Sequence, residues 1–262
     1  MYEDIFFDKN SSSGRSLKKS ESIFLSGILR TILLTGIVVL LGVAFIQQEK
    51  KGKEECKEFT EITEKALPAD TTGETVSKDV EIAFTFDDGP HPVWTEKLLD
   101  GLKARGIRAT FFVIGQSAEE YPELIQRMIS DGNQVGNHTY SHVQLTACGM
   151  DQAIEEIKKT QEAIYQAAGF SPEYIRPPFG SWNETLQNET SLETVLWDVD
   201  PYDWKVQKTD AIVKSILNQT EDGSIILLHD VYETSVEAAL KAADIFIERG
   251  YRFCTVDEIM IE

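Results

Sequence analysis

The chain has 262 residues, 44 of them acidic and 25 basic, for a formal net charge of −19. With 42% hydrophobic and 26% charged residues it is too apolar for a disordered chain, and it is long enough for one large domain with an appendage. Nearly all of the negative charge falls beyond residue 57, which argues against a nucleic-acid partner, because a phosphate backbone would be repelled.

Residues 1–22 are polar and carry Arg15, Lys18 and Lys19. From Ile23 to Ile46 the only charge is Arg30. As a helix at ~1.5 Å per residue, the charge-free part from Thr31 to Ile46 reaches roughly 24 Å, and the whole stretch about 36 Å. A hydrocarbon core is ~30 Å thick, so the stretch spans it if Arg30 snorkels to the near headgroups. Val43-Ala44-Phe45-Ile46 is a poor signal-peptidase site, so residues 23–46 are expected to be an uncleaved transmembrane signal anchor. That places residues 1–22 in the cytoplasm and the acidic bulk outside; the alternative is a secreted, cleaved form. Residues 47–78, rich in Lys, Glu and Thr, are expected to be a stalk.

Beyond the stalk, strand and helix patterns alternate. Strands are predicted at Val80–Phe86, Thr110–Val113, Gln134–Gly136, Tyr174–Arg176, Thr194–Asp198, Ser224–Leu228 and Arg252–Thr255. Helices are predicted at Val93–Arg105 with a Gly106 stop, Tyr121–Ser130, Met150–Ala168 with a Gly169 stop, Ala211–Asn218 and Val236–Arg249. The long helix carries apolar Ile154, Ile157, Ile164 and Ala168. About seven strands alternating with helices imply an α/β fold with a parallel sheet, doubly wound or an incomplete barrel. No GxGxxG follows the first strand and no Walker lysine loop occurs, so nucleotide binding has no support. Cys56, Cys148 and Cys254 are too few and too widely spaced for a disulfide framework; Cys148 and Cys254 either pair or serve as small buried hydrophobes.

In parallel α/β folds ligands meet the carboxyl ends of strands. Five polar motifs stand at such ends. Asp87 and Asp88 precede a Gly-Pro turn that can bring both carboxylates to one site, one as metal ligand and one as base; otherwise they are a polar strand cap. His138 and His142, spaced i, i+4, can converge on a metal, or are simply surface histidines. With Asp88 they would form a two-His, one-carboxylate face, which suits Zn²⁺, with Co²⁺, Ni²⁺ and Mn²⁺ as alternatives. Arg176 can hold a carboxylate or lie at the surface beside a turn. The Asp198–Trp204 segment offers a carboxylate partner and an aromatic wall, or is an acidic loop. His229 ends a buried strand, as a general acid or a structural histidine.

Taken in order, TFDDGP (85–90), HTYSH (138–142), RPPFG (176–180), DPYDW (200–204) and LLH (227–229) resemble the five motifs of the polysaccharide deacetylase family, the NodB-homology domain of carbohydrate esterases. The resemblance covers residues 79–262 and implies a distorted, incomplete (β/α) barrel. It implies Asp87 as catalytic base, oriented by Arg176, and Asp88, His138 and His142 as ligands of one divalent metal. His229 would be the catalytic acid, tuned by Asp203. Trp204 and Leu227 would line the pocket for the acetyl methyl, and Phe179, where the family usually has Tyr, would contribute its backbone N–H. The expected activity is removal of the N-acetyl group from N-acetylglucosamine in peptidoglycan. Alternatives are N-acetylmuramic residues, chitin oligomers or another exported polysaccharide, and, from another class, a non-catalytic carbohydrate-binding module.

Overall fold

The computed structural model describes residues 80–260. The expected cytoplasmic tail, transmembrane anchor and stalk, together with Cys56, lie outside them. Among the described residues no helix is long and apolar enough to cross a membrane.

The first strand, β1 (Glu81–Asp87), is buried along its whole length, as a central strand covered on both faces must be. α1 (Trp94–Arg105) follows and stops at Gly106, whose φ of 64° is the left-handed cap that a glycine adopts without strain. Next come β2 (Thr110–Val113), α2 (Gly115–Glu120), α3 (Pro122–Ser130) and β3 (Gln134–Asn137). A 3₁₀ turn at Leu145–Ala147 leads into α4 (Met150–Ala168), the longest helix described. Its buried stripe is Ala153, Ile157, Thr160, Ala163, Ile164 and Ala167, so Ile154 and Ala168 sit at the edge of the apolar face rather than on it.

The second half is built from shorter pieces. These are β4 (Tyr174–Ile175), a 3₁₀ turn at Pro178–Gly180, α5 (Glu184–Glu189), β5 (Glu193–Thr194), α6 (Asp203–Val206), α7 (Thr209–Gln219), β6 (Ile225–His229), α8 (Glu233–Glu248), β7 (Arg252–Phe253) and α9 (Val256–Met260).

All strand pairs are parallel, in the order β5-β4-β3-β2-β1-β6, and β7 pairs with the first residues of β1. The expected strand at Thr194–Asp198 is cut to two residues. The reason is a competing acceptor role: the carbonyls of Val195 and Leu196 turn to the Arg176 guanidinium instead of a neighbouring strand. The chain then regains the sheet at Val199, which bridges in parallel to Ile226 on β6. Residues 195–199 therefore carry the connection from the β5 side round to β6, consistent with a distorted barrel. Cys148 and Cys254 are both free, so the pairing alternative does not hold. Cys254 is buried like a small hydrophobe, and Cys148 donates to the Leu145 carbonyl.

Candidate active site

The chemistry-bearing residues gather at the carboxyl ends of β1, β3, β4 and β6. Parallel pairing sets Asp87 opposite His229 across β1 and β6. β2 and β3 pair in register, ending Val113 opposite Asn137, so His138 emerges at the same edge. Asp87 is still a strand residue, and Asp88 breaks from the strand with φ 73°. That left-handed turn, rather than the strand, brings the second carboxylate back toward the first.

Asp88 Oδ1 lies 3.4 Å from His138 Nε2 and 3.3 Å from His142 Nε2. One donor atom from each of the three residues falls within 4.8 Å of the others. His138 Nδ1 sits 2.6 Å from the Arg176 carbonyl oxygen, which can only accept, so Nδ1 carries a proton and Nε2 is turned toward Asp88. Burial, working against the attraction of Asp88, holds the His142 pKa below its ordinary value. Asp88 Oδ1 is buried without a hydrogen-bond partner. Two imidazole nitrogens and a carboxylate oxygen packed this closely are the donor set that a divalent cation takes, and their attraction holds Asp88 below the usual carboxylate range despite its burial. The donor set therefore fits a divalent metal.

Two further pairs flank this cluster. Arg176 is fully buried, so its reading as a surface arginine fails. Its guanidinium donates to Asp87 Oδ1 at 2.9 Å, Thr85 Oγ1 at 2.6 Å, the Val195 carbonyl at 3.3 Å and the Leu196 carbonyl at 2.9 Å. It also lies over the Phe112 ring at 4.3 Å. Asp87 is thereby fixed, with Oδ2 3.8 Å from His138 Nε2.

On the other side, His229 Nδ1 is 2.8 Å from Asp203 Oδ1, and the His229 backbone N–H donates to Asp203 Oδ2 at 2.8 Å. Asp203, itself fully buried, also accepts the Trp204 N–H at 2.9 Å. Burial lowers the His229 pKa, but the bond to Asp203 and the surrounding carboxylates outweigh it and raise it to about 9. Its Nε2 is 4.0 Å from Asp88 Oδ2. Asp87 and His229, paired across neighbouring strands, thus both border the Asp88–His138–His142 cluster, which offers a base and an acid for hydrolysis.

Of the residues expected to contact substrate, Phe179 is 68% exposed, has φ 62° and packs its ring edge-on to His142 at 4.9 Å. Trp204 is 46% exposed beside Tyr202. Leu227 is buried two residues before His229 and so shares its face of β6. Thr85 was not anticipated. It stands two residues before Asp87 on the same strand face, accepts from Arg176 and donates to the Ile226 carbonyl at 2.7 Å. Period-2 counting back from Asp87 is the signal that would have found it.

These features define a hydrolase site on a parallel α/β scaffold. The polysaccharide deacetylase family model matches residues 74–194. The peptidoglycan-N-acetylmuramic acid deacetylase PdaC of Bacillus subtilis is 43% identical over 178 residues, which are 68% of this chain and 38% of that protein. Its solved structure superposes with a TM-score of 0.69 at 41% identity, covering 70% of this chain and 91% of that one. The peptidoglycan-N-acetylglucosamine deacetylase PgdA of Listeria monocytogenes is 38% identical, again over 68% of this chain and 38% of that protein. A chitooligosaccharide deacetylase of Sinorhizobium fredii is 43% identical over 57% of this chain and 71% of its own length. The chain belongs to the polysaccharide deacetylase family, hydrolases of N-acetyl amide bonds. The match spans well under half the length of the two peptidoglycan relatives.

Proposed function

We propose that the chain is a metal-dependent deacetylase of N-acetylglucosamine residues in cell-wall peptidoglycan, releasing acetate and leaving a free amino sugar. The observation that carries this reading is the meeting of three groups at one sheet edge. They are the Asp88–His138–His142 cluster, the Arg176-fixed Asp87 and the Asp203-fixed His229.

When bound by Asp88, His138 and His142, a divalent cation supplies Lewis acidity, lowering the pKa of water to ~7 and polarising an acyl oxygen. Asp87, held by Arg176, takes the proton of the attacking water. The Phe179 N–H donates to the oxygen that gains charge. His229 delivers its Nε2 proton to the departing nitrogen, and Asp203 balances its charge until then. Trp204 and Leu227 enclose the acetyl methyl.

A membrane anchor at residues 23–46 would hold the enzyme beside the wall. A second reading, action on N-acetylmuramic residues, is favoured by the 43% identity to PdaC. Acetate release by the full chain from peptidoglycan and from chitooligosaccharides, with and without EDTA, tests the proposal. Mass mapping of the changed sugar separates the two glycan readings. Release unaffected by exhaustive chelation would overturn the metal role, and a reporter at residue 262 active only in the cytoplasm would overturn the topology.

A further inference from the structure

A fully buried carboxyl with no part in the chemistry above lies beneath the turn that carries Asp88. Asp230 directly follows His229 and has no solvent exposure. Its Oδ2 accepts a short hydrogen bond from Thr95 Oγ1, and Thr95, in the first turn of α1 and equally buried, accepts the His91 N–H at 2.7 Å. On its other side Asp230 abuts Gly89. A Cβ on Gly89 would stand 2.3 and 2.4 Å from the two carboxylate oxygens, a contact that only glycine permits. The turn is held from β2 as well, by the Ile114 N–H on the Gly89 carbonyl at 2.9 Å.

This carboxyl is an expensive way to fill space. Its Oδ1 has no hydrogen-bond partner, and burial pushes its pKa up to about 7. An apolar side chain of similar volume would avoid both costs. What an apolar side chain would not do is accept from Thr95 and so close the path from His91 through Thr95 to the residue beside His229.

We propose that Asp230, with Thr95, is a positioning residue: the pair is a strut that fixes the Asp88–His91 turn against the end of β6. It thereby sets the separation between the Asp88 ligand and the His229 acid. The inference rests on the metal reading of Asp88, His138 and His142.

The test uses the full chain, with zinc affinity by competition titration and amide exchange at His91 in the metal-free protein. Asp230→Ala and Thr95→Val should each weaken zinc by about 10-fold or more, the usual effect of losing a group that orients a ligand. Both should speed exchange at His91, whose N–H loses its held acceptor. Asp230→Asn keeps the volume and the acceptor for Thr95, and should rescue both readouts; a merely structural residue would shift the melting temperature of all three without that pattern. Gly89→Ala should also lose affinity, and Gly89→Ala/Asp230→Ala should regain part of it, because the new methyl then meets no carboxylate. Should Asp230→Ala not fold, Thr95→Val decides by the same two readouts. Wild-type affinity and wild-type His91 exchange in a folded Asp230→Ala or Thr95→Val would overturn the strut. Absence of zinc binding by the wild-type chain would instead sink the metal reading, and His91 exchange would still judge the strut.

Discussion

Asp203→Asn offers the sharpest test of how the site handles protons. Asp203 is fully buried and grips His229 twice, through the ring Nδ1 and through the backbone N–H. Burial alone would push the imidazole below 6.5, yet the Asp203 bond and the nearby carboxylates raise it to about 9. At ~1.4 kcal/mol per pKa unit, that rise is worth about 3 kcal/mol in favour of the protonated ring. A cation on Asp88 would cancel that carboxylate's share, but the contact with Asp203 would remain. With Asn in place the ring should fall to 6.5 or below. At pH 8 the protonated fraction would then drop from at most about 90% to about 3%, a loss of up to ~30-fold, while activity near pH 6 changes much less. Initial rates of acetate release from a chitooligosaccharide at saturating zinc, taken between about pH 5 and 10, would show the alkaline limb of kcat/KM moving down, by up to about 2.5 units. Stability follows the same sign. The folded pKa is raised, so the contribution of His229 is complete below 6.5 and disappears as pH climbs through about 9. An alkaline limb that stays in place in a folded Asp203→Asn would refute the reasoning.

Other perturbations separate the remaining roles. Asp88→Ala and His138→Ala should abolish stoichiometric zinc, read by metal analysis of the purified protein, and turnover with it. Asp87→Asn should retain zinc but lower kcat by about 10²–10⁴-fold; undiminished acetate release would exclude it as the base. Arg176→Ala leaves Asp87 buried and unpaired, and should cost about 3–5 kcal/mol of stability, measured by denaturant unfolding.

Much of this was legible in the sequence because the period is strong where the fold is regular. Thr110–Val113 and Met150–Ala168 have the bounds that their apolar patterns and flanking glycines imply. The site motifs were legible because parallel strands deliver their next residues to one edge. What escaped was whatever a non-local partner decided. α2 is only six residues long, opens on Gly115 and ends in two acidic residues that oppose the helix dipole, so it has little local support. It is held instead by its neighbours: the Gly115 and Gln116 N–H groups donate to the Thr139 and Tyr140 carbonyls. The shortened β5 follows from Arg176, twenty residues earlier, capturing the carbonyls a longer strand would have used. Asp230 escaped because nothing around it in the sequence reveals that it ends beneath Gly89.

The backbone explains why the site itself resists a purely local reading. Among the described residues, the non-glycine positions with left-handed φ are Asp88, Thr139, His142, Phe179, Tyr202 and Gln207. All but Gln207 lie on the loops that carry the candidate metal ligands, the expected substrate contact Phe179 and the Asp203 turn. Each costs about 1–2 kcal/mol relative to the right-handed form, and no local signal marks them as a glycine would. Neighbouring bonds hold several in place: Thr139 N–H donates to Asn137 Oδ1 at 2.8 Å, and Tyr202 N–H to Asp200 Oδ1 at 2.8 Å. At Asp88 and His142, the only left-handed residues of the donor set, the turned backbone is what brings a carboxylate and a second imidazole to a ligand already fixed by Arg176. Gripping a cation between them is the interaction best able to offset that strain. The metal-free protein should therefore open first in these two loops, with faster amide exchange at Asp88, Gly89 and residues 139–142 that zinc reverses. Equal protection with and without zinc would show that the loops are held by the fold alone.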